Sequence, residues 1–144
     1  SVYGISPFPT ELAQDFGLKP AMTLTTRLIA VGEVAEGEGV GYGAAWRAPR
    51  RSLIGIAAVG YGDGYPRHMK SGAPVLVNGH RAALVGRVSM DMIAVDITDS
   101  PAVVGDPVVL WGEGLPAEQL ALHADTIPYE LVCGVSQRVQ MEYT

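Results

Sequence analysis

The chain has 144 residues, 48% of them hydrophobic and 17% charged, which suits one folded domain with a substantial core and excludes a disordered chain. Its net charge of −5 disfavours nucleic-acid and anionic-membrane partners, and no apolar run approaches the ~20 residues of a membrane-spanning helix. Cys133 is the only cysteine, so no internal disulfide can form and a reducing, cytoplasmic setting is the expectation.

Residues 1–5 are apolar enough to end a strand. Ser6-Pro7-Phe8-Pro9 breaks it, because two prolines remove backbone donors and fix φ. The chain opens on Ser1 and lacks the basic-then-apolar order of a signal peptide, so it reads as a piece of a longer protein. Residues 10–16 can make a turn or two of helix capped by Thr10 and stopped by Gly17 and Pro20. Residues 21–32 predict the first long strand. Met22, Leu24 and Leu28 alternate there with Thr23, Thr25 and Arg27, and the β-branched threonines suit a pleated surface. Residues 34–39, rich in Glu and Gly, predict a turn.

Residues 53–59 are continuously apolar, which predicts a strand buried on both faces near the domain centre. Residues 75–80 and 82–85 read as a hairpin, because Asn78-Gly79 fits a tight turn with positive φ. Residues 92–97 and 108–111 give two more strands, with breaks at Ser100-Pro101 and Gly105-Asp106-Pro107. Residues 116–124 form the one convincing helix. Pro116 suits its first turn, and Glu118 suits the positive N-terminal end. Residues 129–133 could add a short helical segment. Val135, Val139, Met141 and Tyr143 then alternate with Ser136, Arg138, Gln140 and Glu142 as a terminal strand. Many short strands with glycine-rich turns predict a mainly all-β domain, barrel or sandwich, with one or two short helices.

Three glycine-rich stretches stand apart: Gly39-Val40-Gly41-Tyr42-Gly43-Ala44-Ala45-Trp46, Gly60-Tyr61-Gly62-Asp63-Gly64-Tyr65-Pro66-Arg67, and Gly86-Arg87-Val88-Ser89-Met90-Asp91-Met92. Glycine permits unusual backbone angles and close approach of another chain or ligand, and it leaves Tyr42 little local cover. Each stretch alone is also what a turn between strands looks like. Together and in this order they resemble the C-terminal domain of bacterial alanine racemase, a fold-type-III enzyme that uses pyridoxal phosphate (PLP). The resemblance runs from Tyr3-Gly4-Ile5-Ser6-Pro7 to Tyr129-Glu130-Leu131 and the closing strand.

The resemblance implies that residues 1–144 are the barrel-like β-domain, with residues 1–8 left from an N-terminal (β/α)8 barrel and its connector. It implies interconversion of L- and D-alanine, with D-alanine feeding peptidoglycan. The PLP-bearing lysine would lie on the N-terminal barrel, so this domain alone would be inactive.

A phenol titrates near pH ~10 and is a poor base at neutral pH. It is far too weak for an amino acid's α-proton unless a cofactor such as PLP takes up the charge left behind. The resemblance makes Tyr42 the acid or base on one face of the substrate, opposite the barrel lysine. It carries Tyr42 into the active site of the second subunit of a head-to-tail homodimer.

Met90 has the alternating surroundings of a core residue, but the resemblance turns its backbone N–H toward the substrate carboxylate. A backbone donor binds an anion without adding a titrating group. Asp91 follows and is expected to order that loop beside the substrate channel. Tyr61 resembles the residue at the inner mouth of the channel, and Arg67 and Arg87 resemble charged residues further out. Ordinary solvated arginines are the alternative for both. Tyr129 resembles the tyrosine that touches the PLP phosphate within its own subunit; sealing the helix-to-strand turn is its alternative.

Other chemistries lack support. No helix pattern follows Gly39-Val40-Gly41-Tyr42-Gly43, so it is no dinucleotide fingerprint. His68, His80 and His123 lack metal-ligand spacing. Two of Asp63, Asp91, Asp96 and Asp99 flank glycine or serine turns, where Asp serves the backbone. Ser89 has no nucleophile-elbow pattern. Two rivals stay open: a non-catalytic β-barrel that mediates dimerisation or binding, and a racemase of other amino acids. An RNA-binding barrel is disfavoured by the acidic balance.

Overall fold

A computed structural model describes residues 23–124. The helix expected at 10–16, the segment at 129–133 with Tyr129, and the strand at 135–143 lie outside the described residues. In chain order the elements are β1 (Leu24–Val34), β2 (Gly39–Val40), β3 (Trp46–Arg47), β4 (Ser52–Ala57), β5 (Pro74–Val77), β6 (His80–Val85), β7 (Ile93–Asp96), β8 (Pro107–Trp111) and α1 (Ala117–His123). Single 3-10 turns occur at Tyr42–Ala44 and Tyr61–Asp63. Six strands close a barrel in the order β1-β4-β7-β6-β5-β8, and β8 returns to β1. Every pairing is antiparallel. Closure decides between barrel and sandwich, and it leaves no unpaired edge in the six-stranded sheet. β2 and β3 form a separate two-stranded hairpin.

The barrel interior is filled by alternate residues of each strand, among them Leu28, Val75, Leu84, Val95 and Leu110, all 1% exposed or less. β4 shows how the alternation works. Gly55 and Ala57 face inward, and a Cβ on Gly55 would lie 3.0 Å from Leu28 Cδ2, so the glycine leaves room for the leucine. Ile54 and Ile56 face outward and cluster with Val85 of β6 and Ala94 of β7. Ile56 lies opposite Ala94, which lies opposite Val85, so one apolar patch crosses three strands. Val40 and Trp46 cover it from the β2–β3 hairpin. The expected burial of this strand on both faces is present, and the hairpin is its cause.

The Asn78-Gly79 turn joins β5 to β6 with φ of 52° and 77°, as a tight hairpin of right-handed twist requires. Asp106 ties this turn to the loop before β8. Its carboxylate accepts from the Val103 N–H at 2.8 Å and the Asn78 side-chain amide at 2.7 Å. Those two donors hold its carboxyl below the usual carboxylate range.

Three details differ from expectation. β1 runs on to Val34 and carries an irregularity in register between Leu28 and Ala30. The region 34–39 is therefore a strand end and a turn that leads straight into β2. The two-residue strands β2 and β3 were not foreseen, because alternation cannot be read over two positions. Pro116 is the residue capping α1, not part of its first turn; Glu118 does occupy that turn, and it is buried.

Tyr65 is 1% exposed, and its ring lies 6.1 Å from that of Trp111, tilted by 46°. The Tyr65 hydroxyl and the Trp111 indole N–H are both buried, and among the described residues neither has a hydrogen-bond partner. Burial pushes the Tyr65 phenol well above its ordinary value of 10.0. The unfolded chain ionises this group near pH 10, whereas the folded chain holds the proton. Its contribution is therefore fully present below pH ~10 and is lost as pH rises further. Tyr65→Phe removes an unpaired hydroxyl that costs about 1–3 kcal/mol to bury. The expected outcome is unchanged or higher stability at neutral pH and a shallower loss above pH ~10, read from urea unfolding across pH.

Candidate functional site

The loop between β6 and β7, residues 86–92, is the keel of the site. Both other glycine-rich stretches lean on it. On one side Gly41 approaches Gly86 and Arg87. A Cβ on Gly86 would lie 2.9 Å from the Val40 carbonyl oxygen, and one on Gly41 would lie 3.3 Å from the Arg87 nitrogen. On the other side a Cβ on Gly60 would overlap the carbonyl oxygens of Ser89 and Met90. That contact lets the Tyr61 N–H donate to Ser89 at 3.1 Å and the Gly62 N–H donate to Met90 at 2.9 Å. Three segments far apart in sequence become one surface because glycine stands at each crossing.

Short polar contacts stiffen the assembly. Asp63 accepts from the Gly60 N–H at 3.0 Å and returns its own N–H to the Gly60 carbonyl at 3.0 Å. This reciprocal pair fixes the Tyr61–Asp63 turn. Ser71 accepts from the Gly86 N–H at 3.0 Å, and the Ser89 N–H donates to Met92 at 3.0 Å. Asp96 accepts from Thr98, and Asp99 pairs with Arg50. Asp63, Asp96 and Asp99 thus serve local structure. No group of three His, Cys, Asp or Glu among the described residues could hold a metal ion.

An open cleft of about 810 Å³ runs over this surface. It is lined by Ala45 from the first stretch, Tyr61 and Arg67 from the second, and Arg87, Ser89 and Met90 from the third. Of the sequence-predicted residues, Tyr61, Arg67, Arg87 and Met90 come together here. The Arg67 guanidinium sits 5.3 Å from the Tyr61 ring centroid, a cation–π contact that holds both side chains at the wall. Tyr61 is 40% exposed and Met90 52% exposed, so the core reading of Met90 is overturned. Among the described residues, none accepts a hydrogen bond from the Met90 N–H. Asp91 is exposed beside Met90 but is not part of the lining. Tyr129 lies outside the described residues.

The backbone places Tyr42 on the 3-10 turn at the tip of the β2–β3 hairpin, three residues before the cleft-lining Ala45. Gly41, at φ 80°, turns the chain into it, and the Ala44 N–H closes it on the Gly41 carbonyl at 3.2 Å. The sequence reading weighed His68 only as a metal ligand and gave Lys70 and Ser71 no place in the site; all three also line the cleft. They follow Arg67 directly, and that continuity was the available signal. With Arg67 and Arg87, Lys70 gives the cleft a cationic wall on a chain of net charge −5. Such a wall concentrates carboxylates and other small anions.

The family model described as "Alanine racemase, C-terminal domain" matches residues 21–143. Alanine racemase of Nitrosococcus oceani is 57% identical over 139 residues, covering 96% of this chain and 39% of that protein. The crystal structure of biosynthetic alanine racemase from Pseudomonas aeruginosa matches with a TM-score of 0.96 and 52% identity, covering 99% of this chain and 40% of that one. Alanine racemase from Bartonella henselae, whose crystal structure contains covalently bound pyridoxal phosphate, matches with a TM-score of 0.83 and 32% identity, covering 88% of this chain and 36% of that one. The chain therefore spans about two fifths of the length of these relatives. No helix among the described residues is long and apolar enough to cross a membrane.

The crossing at Gly60 is open to a direct test. Gly60 has an extended backbone with φ −154°, so alanine there suffers only from overlap with the 89–90 backbone. Gly79 has φ +77° and open space around it, so alanine there suffers only from its conformation. Gly60→Ala is expected to cost about 1–3 kcal/mol and to speed hydrogen exchange at the Tyr61 and Gly62 amides. Gly79→Ala is expected to cost about 1–2 kcal/mol and to leave those amides protected. Equal protection in both variants would show that the crossing is looser than described.

Proposed function

We propose, since this chain belongs to the alanine racemase C-terminal domain family, that it contributes one wall of an active site interconverting L- and D-alanine. The observation that carries this is the convergence of the three glycine-rich stretches on one cationic cleft. The described residues suit a substrate-facing role. The Met90 N–H and the Arg67, Lys70 and Arg87 cations match a carboxylate. None of them needs to hold the cofactor itself, and Tyr129 is proposed for the PLP phosphate. PLP, when bound, would make the α-proton acidic by taking up the charge left on carbon.

Tyr42 is proposed to hold or release the proton on one face of the α-carbon. A lysine on an N-terminal (β/α)8 barrel serves the other face. Racemisation needs one such group per face, so a site divided between domains is economical in geometry. Tyr42 lies on the turn at the tip of the β2–β3 hairpin, and a hairpin tip suits insertion into the site of a second subunit in a head-to-tail homodimer. Met90 presents its N–H to the carboxylate, and Asp91 orders the same loop. Tyr61 stands at the inner mouth of the channel, with Arg67 and Arg87 further out. The enzyme would work in the cytoplasm and supply D-alanine for peptidoglycan.

The test is Tyr42→Phe in the enzyme that contains both domains. Loss of the hydroxyl leaves the ring to pack, so PLP binding and the fold should survive. Turnover is expected to fall by ~10²–10⁴-fold, the usual contribution of a general acid or base. Exchange of the α-proton with solvent should fail mainly for L-alanine, while D-alanine should still exchange without converting. Near-normal racemisation by the phenylalanine variant would remove the centre of this reading. Equal loss of exchange for both enantiomers would assign Tyr42 to placing the cofactor.

A further inference from the structure

Val40 and Trp46 are paired across the β2–β3 hairpin, and they form the last rung before the loop that carries Tyr42. The hairpin has only two residues per strand, and even with the bonds between Gly37, Glu38 and Ala48 at its base an isolated two-stranded ladder is marginal in water. Those bonds lie within the hairpin, so its seat on the barrel wall depends on side-chain packing. Val40 and Trp46 supply that packing on Ile54, Ile56, Val85 and Ala94 of the barrel's outer wall. This outer cluster is separate from the inner core of Leu28, Ala57, Leu84 and Val95. It can therefore loosen without emptying the barrel.

We infer that Trp46 is a positioning residue for Tyr42: its indole, seated on the β4–β7–β6 wall, sets where the Tyr42 loop stands above the cleft. Trp46 does this without touching substrate. The inference rests on the reading of Tyr42 as an acid–base group. Trp46 is the larger of the two hairpin anchors and the one nearer Ala45, which lines the cleft. On the other flank the loop passes the glycine crossing at Gly41 and Gly86, which fixes how close it comes but presents no side chain to grip.

The experiment compares the parent enzyme, Trp46→Ala, Trp46→Phe, Tyr42→Phe and the double variant, each loaded with PLP. A misplacement of about 1 Å costs on the order of 10²-fold in rate, so Trp46→Ala is expected to lower kcat by about tenfold to a hundredfold. KM should stay within about twofold, because the carboxylate contacts lie on another loop. Trp46→Phe should recover most of the rate. α-Proton exchange should fail for the same enantiomer as in Tyr42→Phe, and Trp46→Ala should add little to the Tyr42→Phe defect. Should Trp46→Ala not fold, Ile56→Ala trims the opposite side of the same contact and carries the same expectation. Normal turnover by these variants, with Tyr42→Phe impaired, overturns this inference alone. A loss from Trp46→Ala as large in the Tyr42→Phe background as in the parent also overturns it, since the tryptophan then acts on the fold at large. Near-normal turnover by Tyr42→Phe overturns the acid–base reading itself, and the positioning role falls with it.

Discussion

The close passage of backbone past backbone at residues 86–90 governs the rest of the site. Gly86 meets Val40, and Gly60 meets Ser89 and Met90, at separations that leave no room for a side chain. Steric repulsion rises steeply at these distances, so a methyl group would push whole loops apart. Only with hydrogen at these positions can the Tyr61 and Gly62 amides reach the Ser89 and Met90 carbonyls. The hydrogen bonds are modest individually, about 0.5–1.5 kcal/mol net. Their value lies in fixing three loops against one another.

The barrel supplies the rigid base for those loops by burying both faces of its central strands. Ala57 and Val95 pack inward, and Ile56 and Ala94 pack outward beneath Val40 and Trp46. Burying an aliphatic side chain contributes about 1.5–3 kcal/mol. An outer cluster of this size is therefore a strong clamp on a hairpin with so little backbone pairing of its own. The same alternation that fills the barrel also fastens the loop that carries Tyr42. Fold and site are coupled through one strand, β4, whose odd-numbered positions serve the interior and whose even-numbered positions serve the hairpin.

The cleft separates two kinds of charge handling. Arg67, Lys70 and Arg87 set a positive field at its wall, which draws anions without strict geometry. The Met90 N–H, with no acceptor among the described residues, is a non-titrating donor on a residue that lines the cleft. Tyr65 shows the opposite fate for a residue of the same stretch. It stands four residues from Tyr61, yet its ring is sealed beside Trp111 and its phenol is held neutral by burial.

Much was legible in the sequence because it is written in local period and turn chemistry. The apolar run at 53–59, the Asn78-Gly79 turn and the helix after Pro116 each carry their signal within a few residues. The three glycine-rich stretches could be recognised in order, and with them the family. Local pattern could not tell barrel from sandwich, since closure depends on β8 finding β1 across some eighty positions of chain. It could not separate Tyr61 from Tyr65, or show that Met90 is exposed, because glycine-rich turns have no period from which to read a buried face. Nor could it show that Lys70 and Ser71 share a cleft with Met90, or that Trp46 braces its hairpin on β4. Those facts are distances between remote segments, and only the packed chain determines them.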